Sequence, residues 1–221
     1  MSFLKIKAEF ERISERHTQL KLSSSKKLLL IEGLLGFVAD VKGEEFRDEY
    51  EIRICITDKY PEELPDVFET GSRIANTPEN HVNETGTLCV GRPPEIREVL
   101  APIYSITDYI EKILIGYLSQ YSYKERYGVW PYGETEHGVR GIWDYYKEKY
   151  PKYFDTDEKV IKALLDLSKM KIRPKGYKRC SCGCGKLIKN CKYQKMLKKV
   201  RKKEEEYASY IEKFKKEEQE G

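Results

Sequence analysis

The feature that most constrains the fold is the strict alternation of apolar and polar side chains in residues 50–56, YEIRICI. Successive side chains of a β-strand point to opposite faces, so the apolar members of this stretch would share one face. These apolar members are Tyr50, Ile52, Ile54 and Ile56. A strand with one buried face predicts an antiparallel sheet that is covered on one side. Cys55 falls on the opposite, polar face, and we interpret it as a filler thiol without chemistry.

Two apolar runs precede this strand, LLLIE at 28–32 and LLGFVADV at 34–41, and Gly33 separates them. Together with the alternating strand, they predict a three-strand antiparallel meander. A connection stiffened by prolines, YPEELP at 60–65, leads to a short fourth strand at 67–68. The predicted fold class is therefore α+β, with a four-stranded antiparallel meander sheet packed on helices.

Helical periodicity appears on both sides of the predicted sheet. Apolar residues recur at helical spacing over residues 3–20, and a second helix begins after Ser105, with Asp108 placed to form a capping box. A further helix is expected from about 157 to 170. Residues 71–102 have almost no periodic pattern, which is long for a loop in a compact domain and indicates a functional segment.

Composition narrows the class of protein. A chain of 221 residues that is 39% apolar and 35% charged can bury the core of one domain plus an appendage, or of two small domains. Charges interrupt the N-terminal apolar residues, and no apolar run reaches the ~18 residues of a membrane span, so we expect a cytoplasmic protein without a signal peptide or membrane segment. Residues 169–203 are densely basic without one acidic residue. Specific nucleic-acid binding is nevertheless not favoured, because no helix-turn-helix or RNP-like signal accompanies this charge.

The segment HVNETGTLCVG at residues 81–91 brings together His81, Asn83 and Cys89. A cysteine thiolate can attack an acyl group and leave again near neutral pH. The amide of Asn83 could stabilise the oxyanion of such a reaction or fix the geometry of the loop. We interpret His81 as a residue that holds the loop, since no acidic residue lies at a motif spacing to orient it as a general base. A thiol hydrolase would need such a base and its orienting partner against Cys89.

Other residues could act on the Cys89 thiol. Arg92 and Arg97 would lower its pKa if they pointed toward it. His137, in GETEHG with Glu134 three residues earlier, could serve as an acid or base beside the thiol. The favoured alternative is that this stretch is a turn-rich packing segment whose histidine bonds to backbone.

Four of the six cysteines crowd into residues 180–191, CSCGCGKLIKNC. In a reducing compartment such clustering is typical of metal binding rather than of disulfides. The candidate ligands are Cys180, Cys182, Cys184 and Cys191. Four thiolates favour a structural zinc ion in tetrahedral geometry, which would fold a module too small for its own core. Three ligands with water, or cysteines that bind nothing, are the alternatives.

The order of elements and motifs over roughly residues 1–150 resembles the ubiquitin-conjugating enzyme fold, in particular that of its bacterial relatives. The residues that carry the resemblance are Tyr60, Pro61, Pro65, His81, Asn83, Gly86, Leu88 and Cys89. Val82 stands where the His-Pro-Asn motif of the family has proline, and the gap from Asn83 to Cys89 is shorter than in the eukaryotic enzymes. WPYGETEHG at 130–138 is similar to a signature of bacterial members.

The resemblance implies that Cys89 carries a protein C-terminus as a thioester and passes it to an amine. Relatives of this kind occur in antiphage operons of the CBASS type. The implied partners are therefore a ubiquitin-like protein or a CD-NTase-type nucleotide cyclase with a conjugatable C-terminus, and an activating enzyme. A noncatalytic adaptor of the same fold and a zinc-containing nucleic-acid-binding protein are the alternatives.

The cysteine cluster resembles the SEC-C motif, a small zinc-binding module. Cys180, Cys182 and Cys191 match its ligands, Lys192 replaces its usual fourth ligand, and Cys184 is the natural substitute. The expected organisation is a catalytic domain at 1–155, a helical linker at 156–179, a zinc module at 180–192 and a basic amphipathic helix at 193–221.

Overall fold

A computed structural model describes residues 3–61, 63–134, 136, 138–149, 151, 155–157, 159–160, 179 and 185–190. The chain divides into two compact units, residues 1–135 and 136–221. The first unit combines helices with a four-stranded antiparallel sheet in the order β1-β2-β3-β4. The α+β class and the four-stranded meander are therefore confirmed.

The elements of the first unit are α1 (Phe3–Arg16), β1 (Leu20–Ser24), β2 (Leu28–Val41), β3 (Glu44–Thr57), β4 (Asp66–Glu69), a 3₁₀ turn (Pro78–Asn80), α2 (Pro93–Leu100), α3 (Ile106–Asp108), a π-helical segment (Tyr109–Leu114) and α4 (Ile115–Tyr127). The described part of the second unit contains α5 (Gly138–Lys149) and a 3₁₀ turn (Ile188–Asn190). None of the described helices is long and apolar enough to cross a membrane.

The meander is built from different segments than the sequence predicted. The two apolar runs form one continuous strand, β2, and Gly33 does not break it. Gly33 adopts φ +135°, and a Cβ atom there would lie 2.2 Å from the backbone oxygen of Gln19. The glycine therefore admits the chain that enters β1, whose Leu20 pairs with Gly33. The predicted first helix was correspondingly wrong at its end, because it stops at Arg16.

The alternating strand behaves as predicted, since Tyr50, Ile52, Ile54 and Ile56 are each at most 1% exposed. Cys55 is half-buried and pairs with Leu30 and Asp66 on the neighbouring strands. The helices cover the apolar face of the sheet. They contribute Ile6, Phe10 and Ile13 from α1, and Ile106, Tyr109, Ile110, Ile113, Tyr117 and Leu118 from the second helical stretch.

Hydrogen bonds tie the second helical stretch to the rest of the unit. The predicted cap is present, because the Ser105 hydroxyl accepts from the backbone amides of Thr107 and Asp108. Tyr60 donates to the carbonyl of Tyr104 at 2.8 Å. Tyr109 similarly donates to the carbonyl of Pro65 at 3.1 Å. Both ends of the proline-stiffened connection are thus fastened to the start of this helix.

The segment 71–102 is less irregular than its sequence indicated. It contains the helix α2, which begins with a proline at its first position and buries Ile96 and Leu100. The second unit contains α5, which the sequence analysis did not predict. Most of the predicted helix at 157–170 and all of the predicted C-terminal helix at 193–221 lie outside the described residues.

Candidate functional site

Residues 81–89 form a tight antiparallel hairpin. The backbone N–H of Cys89 donates to the carbonyl of His81 at 2.7 Å, and that of Asn83 donates to the carbonyl of Thr87 at 2.8 Å. Val82 and Leu88 pair between these two hydrogen bonds. His81 therefore lies directly opposite Cys89, although eight positions separate them in the sequence.

A three-residue loop closes this hairpin. The N–H of Gly86 donates to the carbonyl of Asn83 at 2.8 Å, and Gly86 adopts φ +81°, in the left-handed region that favours glycine. Asparagine before the loop and glycine at its end are the residues that such a connection prefers. The short gap from Asn83 to Cys89 thus holds this three-residue loop and the start of the returning strand.

The hairpin is joined to the sheet through its inner face. Val82 and Leu88 are buried in the main core, and the N–H of Leu88 donates to the carbonyl of Val67 in β4 at 2.7 Å. Neighbouring residues of an extended chain face opposite ways, so Cys89 follows a core residue and lies at the margin of the core. Its side chain is half-buried.

The side-chain amide of Asn83 stabilises the hairpin itself. Its Nδ2 donates to the carbonyl of Thr87 at 3.1 Å and to the Thr87 hydroxyl at 2.9 Å. Between the two roles considered for Asn83, this arrangement favours fixing the loop, because its amide donors are directed at Thr87 rather than at a substrate oxyanion.

His81 links the hairpin to a preceding 3₁₀ turn. It adopts φ 56°, and its N–H donates to the carbonyl of Pro78 at 2.8 Å. Its ring meets the indole of Trp130 edge-on, with centroids 4.7 Å apart. These contacts favour the interpretation of His81 as a residue that holds the loop.

The Cys89 thiol is kept protonated by its surroundings. Burial raises its pKa, and a hydrogen bond from the backbone of Gly91 opposes this shift only in part. Arg92 pairs with Glu95 at 3.0 Å, and no arginine of the described residues contributes to the pKa shift of the thiol. At neutral pH the thiolate is therefore a minor form.

Two phenols interact electrostatically with the thiol. Burial chiefly raises the pKa values of Tyr109 and Tyr117, and the charge of an ionised Cys89 contributes to both shifts. Both hydroxyls donate to backbone carbonyls, that of Tyr109 to Pro65 and that of Tyr117 to Asn80. These tyrosines are therefore protonated structural donors beside the site.

The 3₁₀ turn before His81 is held by three donors from the α4 region, which we call the carbonyl clamp: Tyr117, Lys124 and Trp130. Tyr117 donates to the carbonyl of Asn80 at 2.6 Å, and the Trp130 indole donates to that of Glu79 at 3.0 Å. Lys124 donates to the Glu79 carbonyl and, at 3.0 Å, to the Asn80 side chain. Sequence reasoning missed this clamp, although the motif at 130–138 contains Trp130.

A second group that sequence reasoning missed is centred on Arg73. Its guanidinium contacts Asp48 at 2.6 and 2.8 Å and Glu125 at 2.5 and 3.2 Å, and it lies 4.3 Å over the ring of Tyr50. The hydroxyl of Ser122 donates to Asp48 at 2.8 Å. We call these five residues the Arg73 network, and they join β3, the segment after β4 and α4.

Several predicted site residues lie outside the described residues. They are His137, Cys180, Cys182, Cys184 and Cys191. Glu134 is described and is exposed. Among the described residues there is no group of three or more His, Cys, Asp or Glu side chains that could hold a metal ion. The zinc site therefore stays a prediction.

No protein-family model, curated protein or solved structure matches this chain. The chemical capacity of the site rests on its own residues. They provide a half-buried thiol, a backbone donor at Gly91 and a rigid hairpin that holds both.

Proposed function

We propose that this protein is a cysteine-dependent protein-conjugating transferase that carries a protein C-terminus as a thioester on Cys89 and transfers it to an amine. The observation that supports this proposal is the hairpin that pairs Cys89 with His81 beside the last strand of a four-stranded meander. Its motifs occur in the order that resembles ubiquitin-conjugating enzymes. The proposed cargo is a ubiquitin-like protein or a nucleotide cyclase, and the proposed setting is antiphage defence.

The reaction has two steps. In the first, the Cys89 thiolate attacks the carbonyl carbon of an activated C-terminus, the C–S bond forms, and the bond to the activating group breaks. In the second, an amine attacks the thioester carbon and forms a tetrahedral oxyanion. Collapse of this intermediate forms the amide bond and expels the Cys89 thiolate, and the proton of the amine passes to water.

The raised pKa of Cys89 suits a carrier better than a hydrolase. A thiolate of higher pKa is a poorer leaving group, so its thioester is discharged more slowly. Partial burial also restricts the approach of water. The loaded form would therefore persist until an acceptor amine is positioned beside it.

An adduct assay tests the proposal. The purified chain is incubated with a ubiquitin-like protein or a nucleotide cyclase, together with an activating enzyme and ATP, and the products are separated with and without reductant. We expect a reductant-sensitive adduct in the wild type and none in Cys89→Ala. Cys89→Ser should give an adduct that resists reductant, because an oxygen ester replaces the thioester.

Cys55→Ala is the matched control for this assay. Cys55 is the other half-buried free cysteine of the described residues. The Cys55→Ala variant should form as much adduct as the wild type. A reductant-sensitive adduct that persists unchanged in Cys89→Ala would disprove the assignment of the thioester to Cys89.

Zinc is proposed as the structural cofactor of the C-terminal cysteines. Four thiolates in one short stretch satisfy a tetrahedral zinc ion, and metal binding would supply the folding free energy of so small a module. Metal analysis of the purified chain should give about one equivalent of zinc. Less than about half an equivalent, with all four cysteines open to alkylation in the folded chain, would reject the site.

A further inference from the structure

The 3₁₀ turn Pro78–Asn80 lies between the donors of the carbonyl clamp and His81, the residue that pairs with Cys89. Trp130 contacts this region twice, by its indole N–H on the Glu79 carbonyl and by its ring against His81. His81 in turn accepts the backbone N–H of Cys89 at 2.7 Å. One path from the indole to the Cys89 backbone therefore runs through His81.

The indole is built into the unit and is not a surface group. Trp130 is 8% exposed and belongs to the main core, where Tyr117 and Tyr121 pack near its ring with centroids 6.0 and 6.2 Å away. Lys124 lies 4.9 Å over the same ring. A side chain fixed on several sides can hold another group in one place, because its own rotamer cannot change without repacking.

We propose that Trp130 is a positioning residue for Cys89, which acts through the 3₁₀ turn and His81 to fix how deeply the thiol is buried. The importance of this role for catalysis rests on the proposed function. The role itself concerns the accessibility of one thiol and can be measured without any partner protein.

Trp130→Phe removes the indole N–H and narrows the ring that contacts His81. The Glu79 carbonyl then retains only the lysine of the clamp, and the hairpin loses its edge contact. We expect the turn to loosen and the thiol to become more accessible to solvent. Less burial favours the charged form, so the pKa of the thiol should fall toward that of an ordinary cysteine.

The experiment measures the rate at which iodoacetamide labels Cys89 from neutral to alkaline pH, with the labelled peptides quantified by mass spectrometry. Cys55 in the same chain is the internal reference. Trp130→Phe should label Cys89 about 3- to 10-fold faster at neutral pH and shift the midpoint of its pH profile downward, because alkylation follows the thiolate. The rate of Cys55 should stay unchanged.

Two matched controls accompany this variant. Trp143→Phe makes the same chemical change at the other tryptophan, which is buried in α5, and should leave both rates unchanged. Tyr117→Phe removes another donor of the clamp and should accelerate Cys89 labelling in the same direction. Tyr60→Phe removes a comparable bond to a backbone carbonyl away from the clamp and should not.

The proposal is overturned if Trp130→Phe leaves the rate and the pH midpoint of Cys89 labelling at wild-type values, whatever the effect of Tyr117→Phe. It is also overturned if Cys55 accelerates as much as Cys89, since the variants would then have loosened the whole sheet. In the adduct assay, a loaded Trp130→Phe should discharge faster than the wild type, because a less buried thiol of lower pKa is a better leaving group and its thioester is more open to water.

The two proposals fail in different ways. Absence of any Cys89-dependent adduct in the wild type would remove the proposed function but leave the labelling result intact. Unaltered labelling with a normal Cys89 adduct would remove the positioning role and leave the proposed function.

Discussion

The sheet and the segment 71–102, which carries Cys89, are held in place by different means. Backbone pairing and a continuous apolar face hold the sheet. The segment depends instead on side chains of other elements that reach its backbone, such as Glu69 of β4, which accepts the N–H groups of Gly71, Arg73 and Ile74. The sheet should therefore fail when its backbone is forced apart, and the segment when single polar groups are removed.

The largest effect is expected for Gly33→Ala in β2. The added methyl would lie 2.2 Å from the Gln19 oxygen, and the backbone at φ +135° is itself unfavourable for alanine. We expect a loss of about 3 kcal/mol or more in the free energy of unfolding, measured with urea. Gly36→Ala is the control in the same strand, since a methyl there meets nothing closer than 4.0 Å. Equal stability of the two variants would contradict the close approach at Gly33.

Arg73→Met tests the charged part of the contrast. It leaves the carboxylates of Asp48 and Glu125 without their shared partner in a partly buried site. We expect about 2 kcal/mol of destabilisation, less than for a fully buried pair because these groups keep some contact with water. Arg53→Met, which breaks the exposed pair with Glu32, should destabilise the protein much less in the same urea titration, because water screens this pair.

Glu69→Gln tests the anchoring of the chain that leaves β4. The variant keeps one acceptor oxygen but loses the charge that strengthens bonds to three backbone donors. A loss of about 1 kcal/mol is expected. Glu45→Gln is an exposed control whose ion pair with Arg47 is long, at 3.8 Å, and it should be neutral. If both substitutions were neutral, the carboxylate would not be holding the segment.

The smallest expected effect is a gradual change of the free energy of unfolding with pH. Burial opposes ionisation of Asp48, but hydrogen bonds from Arg73, Ser122 and the Glu49 backbone outweigh it and lower the pKa below its usual 3.8. A lowered folded-state pKa means that this contribution is fully present above pH 3.8 and is lost as the pH falls through the folded value. Urea midpoints measured at falling pH should show this loss in the wild type, and Asp48→Asn should reduce it. An equal slope in both chains would show that Asp48 is not the group responsible.

The sequence predicted those parts of the sheet in which apolar and polar side chains alternate, because alternation shows which face is buried. The alternation around Ile54 identified β3, and the cap at Ser105 identified the second helical stretch. The prediction at Gly33 was wrong because the sequence does not show whether a glycine ends a strand or lets a neighbouring strand approach closely. Leu20 was misread because one buried residue satisfies a helical and a strand pattern equally well.

The candidate site was less predictable, for reasons of distance along the chain. The residues that close the hairpin are local, and the asparagine and glycine around its loop are turn residues visible in the sequence. The Arg73 network and the carbonyl clamp join residues that lie far apart in sequence. The sequence around a hydrogen-bond donor such as Trp130 does not indicate which distant carbonyl it will bind.

The three-residue loop at 84–86 also restricts how this chain can vary in length. Because pairing runs outward from the loop one residue at a time, an inserted residue must be absorbed as a bulge or else shift the register. A shifted register would turn the thiol of Cys89 toward the core and carry Leu88 to the outer face. Substitutions within the loop are thus tolerable, whereas a change in its length would move the cysteine.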